Sequence, residues 1–399
     1  VQQTQASWLL ASSQRPILIL LNDLMHGVKL CLRLSLRSQL MTNPLPQGAI
    51  IGILGGGQLG RMLSVAAARL GFRTHIFEPG ANPPAGQVAE HVTTAPYEEE
   101  AALRAFGEAV DVITYEFENV PTSALDLLGS LAPIHPGREA LRISQDRITE
   151  KDFLSGLGLT VAPYAAVDDA ASLQSAIEKV GTPSILKTRR FGYDGKGQAR
   201  LMSPDDAAQA LADMAGAPAV LEGFIDFSAE ISVIAARSPS GEVACFDPGE
   251  NVHEGGILRK TTVPSTVKSS LRMDAVLLAG RILNELEYLG VLGVELFVTA
   301  SGLVVNEIAP RVHNSGHWTQ NGCTVDQFEQ HIRAIAGWPL GNGQRHSDVV
   351  MENLIGDDMD RVPMLAAQAE AALHLYGKAD VEAGRKMGHV NFVSATTKS

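Results

Sequence analysis

From Ala49 onward the chain alternates apolar and polar positions in a regular rhythm. The run AIIGIL (49–54) is short and apolar, as a buried strand requires, and 58–70 reads as a helix that Gly71 stops. RTHIFE (73–78) predicts the next strand, 98–109 a helix, and VDVITYEFE (110–118) another strand. LAPIHPG (131–137) adds a further short strand, followed by helical runs near 138–145 and 147–157. Strand–helix alternation of this kind implies a parallel sheet with helices on both faces.

After TVAPYAAV (160–167) the rhythm changes. A helix over 170–180, a strand PSILKTRR (183–190), a glycine-rich stretch, a strand GQARLM, a helix over 204–215 and a strand AVLEGFI (219–225) follow. They predict a small α+β unit of about 60 residues, near the lower limit for a domain. From 229 long strands dominate, among them EISVIAARS and EVACFDP, with helices at 267–288 and 326–336. No low-complexity linker and no internal repeat breaks the pattern. The expected organisation is α/β and α+β in three modules, 48–161, 162–222 and 223–399, after a leader at 1–47.

Composition narrows the function classes. The chain has 399 residues, 45 % hydrophobic and 19 % charged, which predicts two or three packed domains. Net charge is −12, which argues against binding a phosphate backbone as the main task. Cys31, Cys245 and Cys323 have neither metal-ligand spacing nor the number for a disulfide framework, so a reducing cytoplasm is expected. No apolar run approaches the roughly 18 residues of a membrane span. PILILLNDLM (16–25) is broken by Asn22 and Asp23. Residues 1–40 carry Arg15, Lys29, Arg33 and Arg37 against Asp23, a composition open to two readings. One is a transit peptide. The preferred one is an upstream leader, poorly ordered, before a natural start at Met41, because MTNPLPQG is an ordinary polar lead-in to a strand.

Five stretches carry chemistry. In ILGGGQLGRMLSVAAARLGFRTHIFEP (53–79), Gly55, Gly57 and Gly60 fit G-x-G-x-x-G and Glu78 closes the next strand, the written form of a dinucleotide fingerprint. In LKTRRFGYDGKGQ (186–198), Gly192, Gly195 and Gly197 let backbone N–H groups approach phosphate oxygens while Lys187 and Lys196 add charge. The spacing is not a P-loop; a strand–loop–strand flap over a triphosphate fits, and so does a plain glycine turn with solvated lysines. In GVELFVTASGLVVNEIAPRVHNSGHWTQ (293–320), two apolar strands flank a turn. Pairing Val298 with Leu303 puts Glu295 opposite Asn306; a one-residue slip puts it opposite Glu307. Either way carboxylates and an amide converge among Val, Leu and Phe, where a cation such as Mg²⁺ would hold them together. The alternative is a solvated strand face paired with arginines. Arg311, His313, Asn314, Ser315, His317 and Thr319 follow directly, and GRKMGHVN (384–391) sets Arg385 and Lys386 beside glycine, as a phosphate monoester site would or as solvated cations. AVLEGFIDFSAE (219–230) is similar to an adenine hinge, with Glu230 placed for ribose hydroxyls, though a linker reads the same way.

Together GGGQLGRM, DRITEK, GYDGKGQ, VNEIAPRVHNSGHWTQNG and GRKMGHVN resemble, in order, the N5-carboxyaminoimidazole ribonucleotide synthetase family of purine biosynthesis, from about residue 48 to about 392. The resemblance implies a three-module ATP-grasp architecture with a Rossmann-like pre-ATP-grasp domain first, and a cytoplasmic homodimer. It also implies ATP- and Mg²⁺-dependent carboxylation of aminoimidazole ribonucleotide by bicarbonate through carboxyphosphate. It places ATP contacts on Arg147, Lys187, Gly192, Tyr193, Asp194, Gly195, Lys196, Gly197, Gln198, Glu222, Gly223, Phe224, Ile225, Glu230, His253, Asn306 and Glu307. Metal ligands fall on Glu295 and Glu307, and catalytic roles on Lys187, Arg311 and His253. The ribonucleotide falls on Gln58, Glu116, Tyr193, Asp194, Arg311, His313, Asn314, Arg385 and Lys386. In that family the glycine turn faces a phosphorylated substrate rather than a dinucleotide, which makes Glu78 a strand-end acid. The first forty residues lack a counterpart, and relatives are expected to continue for some tens of residues past GHVNFV. Rival readings are a formate-dependent glycinamide ribonucleotide transformylase, a biotin carboxylase subunit, an NAD-dependent oxidoreductase and a nucleotide sensor without catalysis.

Overall fold

The computed structural model describes residues 44–192 and 195–397. Residues 1–43 of the leader, with Cys31 and the proposed start at Met41, lie outside the described residues, as do Tyr193 and Asp194.

The first sheet is built from β1 (Ile50–Leu54), β2 (Arg73–Phe77), β3 (His91–Thr93) and β4 (Val112–Tyr115), all parallel, in the order β3-β2-β1-β4. The helix Gln58–Arg69 turns Leu59, Met62, Leu63, Ala66 and Ala67 inward, the i, i+3, i+4, i+7, i+8 spacing of one helix face. The expected strand LAPIHPG is only a single parallel bridge between Ile134 and Ile113. Pro133 and Pro136 have no N–H to give a ladder, so pairing stops after one residue. VDVITYEFE likewise ends early, at Tyr115, where the chain turns away. Helices Arg138–Ser144 and Arg147–Gly156 lead out of this module, the second capped by Asp146, whose carboxylate accepts from the N–H groups of Ile148 and Thr149.

A second sheet contains β5 (Tyr164–Val167), β6 (Ser184–Thr188), β7 (Gln198–Leu201) and β8 (Ala219–Gly223), antiparallel in the order β5-β8-β6-β7. Leu173, Ala176 and Ile177 of helix Ala170–Val180 pack with Leu186, Leu201 and Leu221 from the strands. The helix expected over 204–215 divides into a 3₁₀ turn, Pro204–Asp206, and a short α-helix, Ala207–Asp213.

The third sheet is the largest. Strands β9 (Ala229–Arg237), β10 (Val243–Cys245), β11 (Gly249–Glu254), β12 (Ile257–Val263), β13 (Gly290–Thr299), β14 (Gly302–Ala309), β15 (Ser347–Ile355), β16 (Ala371–Leu375) and β17 (Lys386–Ala395) run antiparallel. Their order is β14-β13-β9-β11-β12-β15-β17-β16, with β10 also on β9. The apolar run of β9 has a direct cause. Ile231, Val233 and Ala235 pack with Ala275, Ala279 and Ile282 of helix Ser269–Glu285. Ile234 and Ala236 point the other way, into a core with Phe328 and Ile332 of helix Gln327–Ile335. Both faces are covered, so the strand has no polar side to show.

That last core also contains Ile51, Ile53, Leu63 and Phe72, so it runs from the first sheet into the third. At its margin Arg69 donates to Asp326 at 2.9 Å and to Glu329 at 2.8 Å. Asp326 is at the same time the N-cap of the helix it starts, accepting from the N–H groups of Phe328 and Glu329. Cys245 and Cys323 are free thiols, and no helix among the described residues is long and apolar enough to cross a membrane. Because one carboxylate serves both the cap and the ion pair, Asp326→Ala is expected to lower unfolding free energy by about 1–2 kcal/mol. Asp326→Asn, which can still cap, is expected to lose less than half of that. Urea denaturation midpoints of the three proteins measure the difference.

Candidate active site

The hairpin of β13 and β14 satisfies both registers that its sequence allows. Val298 pairs with Leu303 and Leu296 with Val305, then the register slips and Glu295 pairs with Glu307. Asn306 is the extra residue of a β-bulge, which brings two polar side chains opposite one. Its amide donates to Glu295 Oε2 at 3.4 Å. Two carboxylates therefore oppose each other between buried Val294, Leu296, Val305 and Ile308. Burial, and then the charge of Glu307, push the Glu295 carboxyl up to about 7. Burial also works against Glu307, but Arg147 donates to its Oε2 at 2.9 Å and holds it below the ordinary carboxylate range.

Arg147 stands at the first helical position after the Asp146 cap, and its helix contributes two further ionisable side chains. Glu150 accepts from the N–H of Ile308 at 2.7 Å, and burial followed by Glu307 pushes it up to about 8. Lys151, one turn after Arg147, is fully buried with Nζ 3.3 Å from Glu222 Oε2. Lys187 reaches the same oxygen from β6, at 2.9 Å. Neither Glu150 nor Lys151 was singled out in DRITEK, although helical spacing puts Arg147 and Lys151 on one face.

The glycine loop is the strand–loop–strand connection between β6 and β7, closed by the pair Lys187 and Gln198. Gly192, Gly195, Lys196 and Gly197 lie in it. A Cβ at Gly197, where φ is +70°, would lie 2.6 Å from Thr188 Oγ1, so only glycine allows this return. After Glu222 and Gly223 close β8, Phe224 and Ile225 continue as a connection to β9. Phe227 stacks on Phe297 with ring centroids 4.7 Å apart. Glu230 on β9 accepts a hydrogen bond from His253 Nδ1 on β11. Burial opposes a charge on His253, yet Glu230 and Glu295 raise its pKa above the ordinary value.

The ribonucleotide candidates divide into those that converge and those that do not. Arg311 donates from Nε to Glu118 at 2.6 Å and from Nη2 at 3.3 Å, a fork that joins residues far apart in the chain and leaves no trace in its pattern. Burial opposes Glu118, but Arg311 holds its carboxyl low. His313 Nε2 is 3.3 Å from Glu295 Oε1. Burial, Arg311 and Lys386 drive its pKa down to about 3, so it stands there as a neutral ring. Asn314 and Asn353 exchange two amide hydrogen bonds at 3.0 and 2.8 Å. Arg385, by contrast, points to Glu382 and the Asp380 carbonyl on an exposed turn and does not join the others. Gln58 opens its helix, half-buried.

The glycine fingerprint has its anion already. Glu116, just past β4, accepts from the N–H of Gly57 and, at 2.6 Å, from that of Gly60. Glu78 accepts from Gly56 at 2.7 Å and Gly80 at 2.9 Å, so it folds into the turn as a strand-end acid does. A helix N-terminus attracts negative charge, and a pyrophosphate placed there would have to displace a buried carboxylate.

Glu118, Gln145, Arg147, Arg190, Gly192 and Glu307 line a small cavity of about 50 Å³ where these groups meet. A larger groove of about 790 Å³, beside Cys245 and Leu277, contains none of them. Among the described residues no cluster of three or more His, Cys, Asp or Glu could hold a metal by itself. Two opposed carboxylates do fit Mg²⁺, which takes one or two and completes its shell with phosphate oxygens and water.

Comparison with known proteins matches residues 49–145 to a ribonucleotide synthetase preATP-grasp domain and 152–328 to an ATP-grasp domain. Residues 349–399 match a phosphoribosylaminoimidazole carboxylase C-terminal domain. An N5-carboxyaminoimidazole ribonucleotide synthase of Brucella melitensis is 54 % identical over 356 residues, 88 % of this chain and 98 % of that protein. That relative therefore does not run on for the expected tens of residues beyond the matched region. A crystal structure of an N5-carboxyaminoimidazole ribonucleotide synthetase with ADP superposes with TM-score 0.86 at 41 % identity, over 88 % of this chain and 94 % of that one. An Aspergillus clavatus N5-carboxyaminoimidazole synthase, solved with ADP and 5-aminoimidazole ribonucleotide, gives TM-score 0.83 at 31 % identity over 88 % and 95 %. Identity at this level, sustained through all three sheets, means that the chain belongs to the N5-carboxyaminoimidazole ribonucleotide synthase family of ATP-grasp ligases.

Proposed function

We propose that the chain carboxylates 5-aminoimidazole ribonucleotide with bicarbonate in purine biosynthesis, consuming ATP and giving N5-carboxyaminoimidazole ribonucleotide, ADP and phosphate. One observation supports the site assignment above the rest: the opposed pair Glu295 and Glu307, with Arg147 on one carboxylate. Mg²⁺ held by Glu295 and Glu307 would supply charge neutralisation for the transferring phosphoryl group.

The residues divide the work by position. Lys187, the glycine loop and Arg147 bind the triphosphate, with Asn306 beside them and the adenosine along Glu222–Ile225, Glu230 and His253. Bicarbonate is too weak a nucleophile and too poor an electrophile to react unaided. Transfer of the γ-phosphoryl group to one of its oxygens gives ADP and carboxyphosphate; cleavage of its C–O bond to the phosphoryl group releases CO₂ and phosphate, and the amine attacks that CO₂ while the phosphate takes up the amine proton. Arg311 has five N–H donors and three contacts, to Glu118 and the Val312 carbonyl, so donors are left for an anionic intermediate. Glu118 fixes the plane of that guanidinium. A neutral His313 can exchange hydrogen bonds there without repelling Arg311. Lys386 serves the ribose phosphate; Arg385 would have to leave Glu382 to do so. The loop between β6 and β7 covers the intermediate and excludes water. Gln58 belongs to the far side of the same substrate; Glu116, whose carboxylate the Gly57 and Gly60 N–H groups hold, would have to leave them to reach it. A cytoplasmic homodimer completes this reading.

Phosphate release from ATP is expected to require bicarbonate and aminoimidazole ribonucleotide together. Formate with glycinamide ribonucleotide, or biotin as acceptor, should give none; turnover with either would replace this reading by one of its relatives. Glu307→Gln is expected to cut that turnover by at least ~100-fold, the scale of losing one group that stabilises transition-state charge. Circular dichroism should stay that of the folded chain, and full activity of the variant would remove Glu307 from the metal site. Titration with NADH should give no fluorescence enhancement, because Glu116 already occupies the N–H groups of Gly57 and Gly60.

A further inference from the structure

Lys151 is a buried charge to which the reaction gives no task. Its side chain is 1 % exposed, so no ligand can touch it, whereas the Lys187 side chain is 14 % exposed and faces the site. Both ammonium groups meet one oxygen, Glu222 Oε2, at 3.3 and 2.9 Å. The other oxygen, Glu222 Oε1, is buried without a hydrogen-bond partner, so the two lysines are the carboxylate's compensation.

The charges decide the consequence. Two cations and one anion leave a single positive charge, and only Lys187 can present it to a ligand. Without Lys151 the pair is neutral. Lys187 is then the main counter-ion of a buried carboxylate, and drawing it toward a phosphate leaves that carboxylate uncompensated, which is costly in a low-dielectric interior. The helix adds a geometric link. Glu150, the preceding residue, is tied to the N–H of Ile308 next to Glu307, so this one turn fixes the Lys187–Glu222 pair relative to the carboxylate hairpin.

We propose that Lys151 is a positioning residue that neutralises Glu222 and thereby releases the charge of Lys187 to the nucleotide phosphates. This rests on the assignment of ATP to the site. Lys151→Met is expected to raise KM for ATP and the dissociation constant for ADP roughly tenfold, the scale of one charged hydrogen bond. KM for bicarbonate and for aminoimidazole ribonucleotide should stay as in the wild type, which general loosening of the fold would not allow. Lys151→Arg should restore ATP affinity. Because Glu222 also belongs to the adenosine contacts, the Lys151→Met, Glu222→Gln double variant is compared with Glu222→Gln alone: with no carboxylate left to compensate, removing Lys151 in that background should change ATP affinity by no more than about threefold, within the usual scatter of such measurements.

Wild-type affinity in Lys151→Met, or a double variant tenfold weaker than Glu222→Gln alone, would overturn the proposal. Should Lys151→Met fail to fold, the double variant, which has no uncompensated carboxylate, decides by the same comparison. If the wild-type chain binds no ATP at all, the assigned function falls and this inference with it. Normal wild-type binding with no effect of the substitutions sinks the inference alone.

Discussion

The site depends on a repulsion. Opposed residues on paired strands hold their Cβ atoms about 4.5–5.5 Å apart, and like charges at that separation destabilise a sheet. Glu295 and Glu307 meet in this way because the bulge at Asn306 shifts the register, and the walls around them are apolar. The chain answers by sending positive or polarisable groups from every module. Arg147 comes from the helix that leaves the first sheet, Lys187 from the second, and His253 and His313 from strands and turns of the third. A three-module chain whose modules share one centre is the result.

The same logic of supplied charge governs the first module. A strand–glycine–helix turn creates a demand for an anion whatever the chain later does with it. Here a strand-end residue, Glu116, meets the demand from inside. Gly55 and Gly57 are needed because Glu116 comes so close: a Cβ at Gly57 would lie 2.6 Å from its carboxylate, whereas one at Gly60 would meet the Gly55 carbonyl at 2.9 Å. A motif that specifies close backbone approach by an anion cannot, from its letters, say whose anion it is.

That distinction sorts what was legible in the sequence from what was not. Period-two and helical patterning located β1, β2, β4, β6 to β10, β13, β14 and most of the long helices, since burial on one or both faces writes itself into the order of residues, but it did not mark out β3, β11, β12, β15 to β17 or the short helix Thr122–Leu128. The proline-flanked segment at 131–137 failed because apolar content alone does not make a ladder when N–H groups are missing. The hairpin register stayed ambiguous for a related reason: an inserted residue leaves no periodic trace, so Glu295 opposite Asn306 and opposite Glu307 were equally good readings. Pairings across long sequence separations were not readable at all. Arg311 with Glu118, Lys151 with Glu222 and Glu150 with Ile308 join residues from different modules. Arg385 looked equivalent to Lys386 in GRKMGHVN, but the turn before β17 directs it to Glu382 instead.

The electrostatic balance of the centre limits how a nucleotide can enter it. Arg147, Lys151, Lys187 and Arg311 stand against Glu118, Glu150, Glu222, Glu295 and Glu307, four positive charges against five negative ones when all are ionised. A cluster without positive excess in a chain of net charge −12 offers little long-range attraction to a triphosphate. Each arginine and lysine is also committed to a carboxylate, so phosphate oxygens must compete for it. In the proposed reading a divalent cation supplies positive charge where Glu295 and Glu307 face each other across the hairpin. The metal then travels most favourably with the nucleotide, since each supplies the charge that the other lacks. This also accounts for carboxylates, rather than neutral ligands, in the hairpin: their repulsion makes the pair a poor end state without the cation and a good one with it.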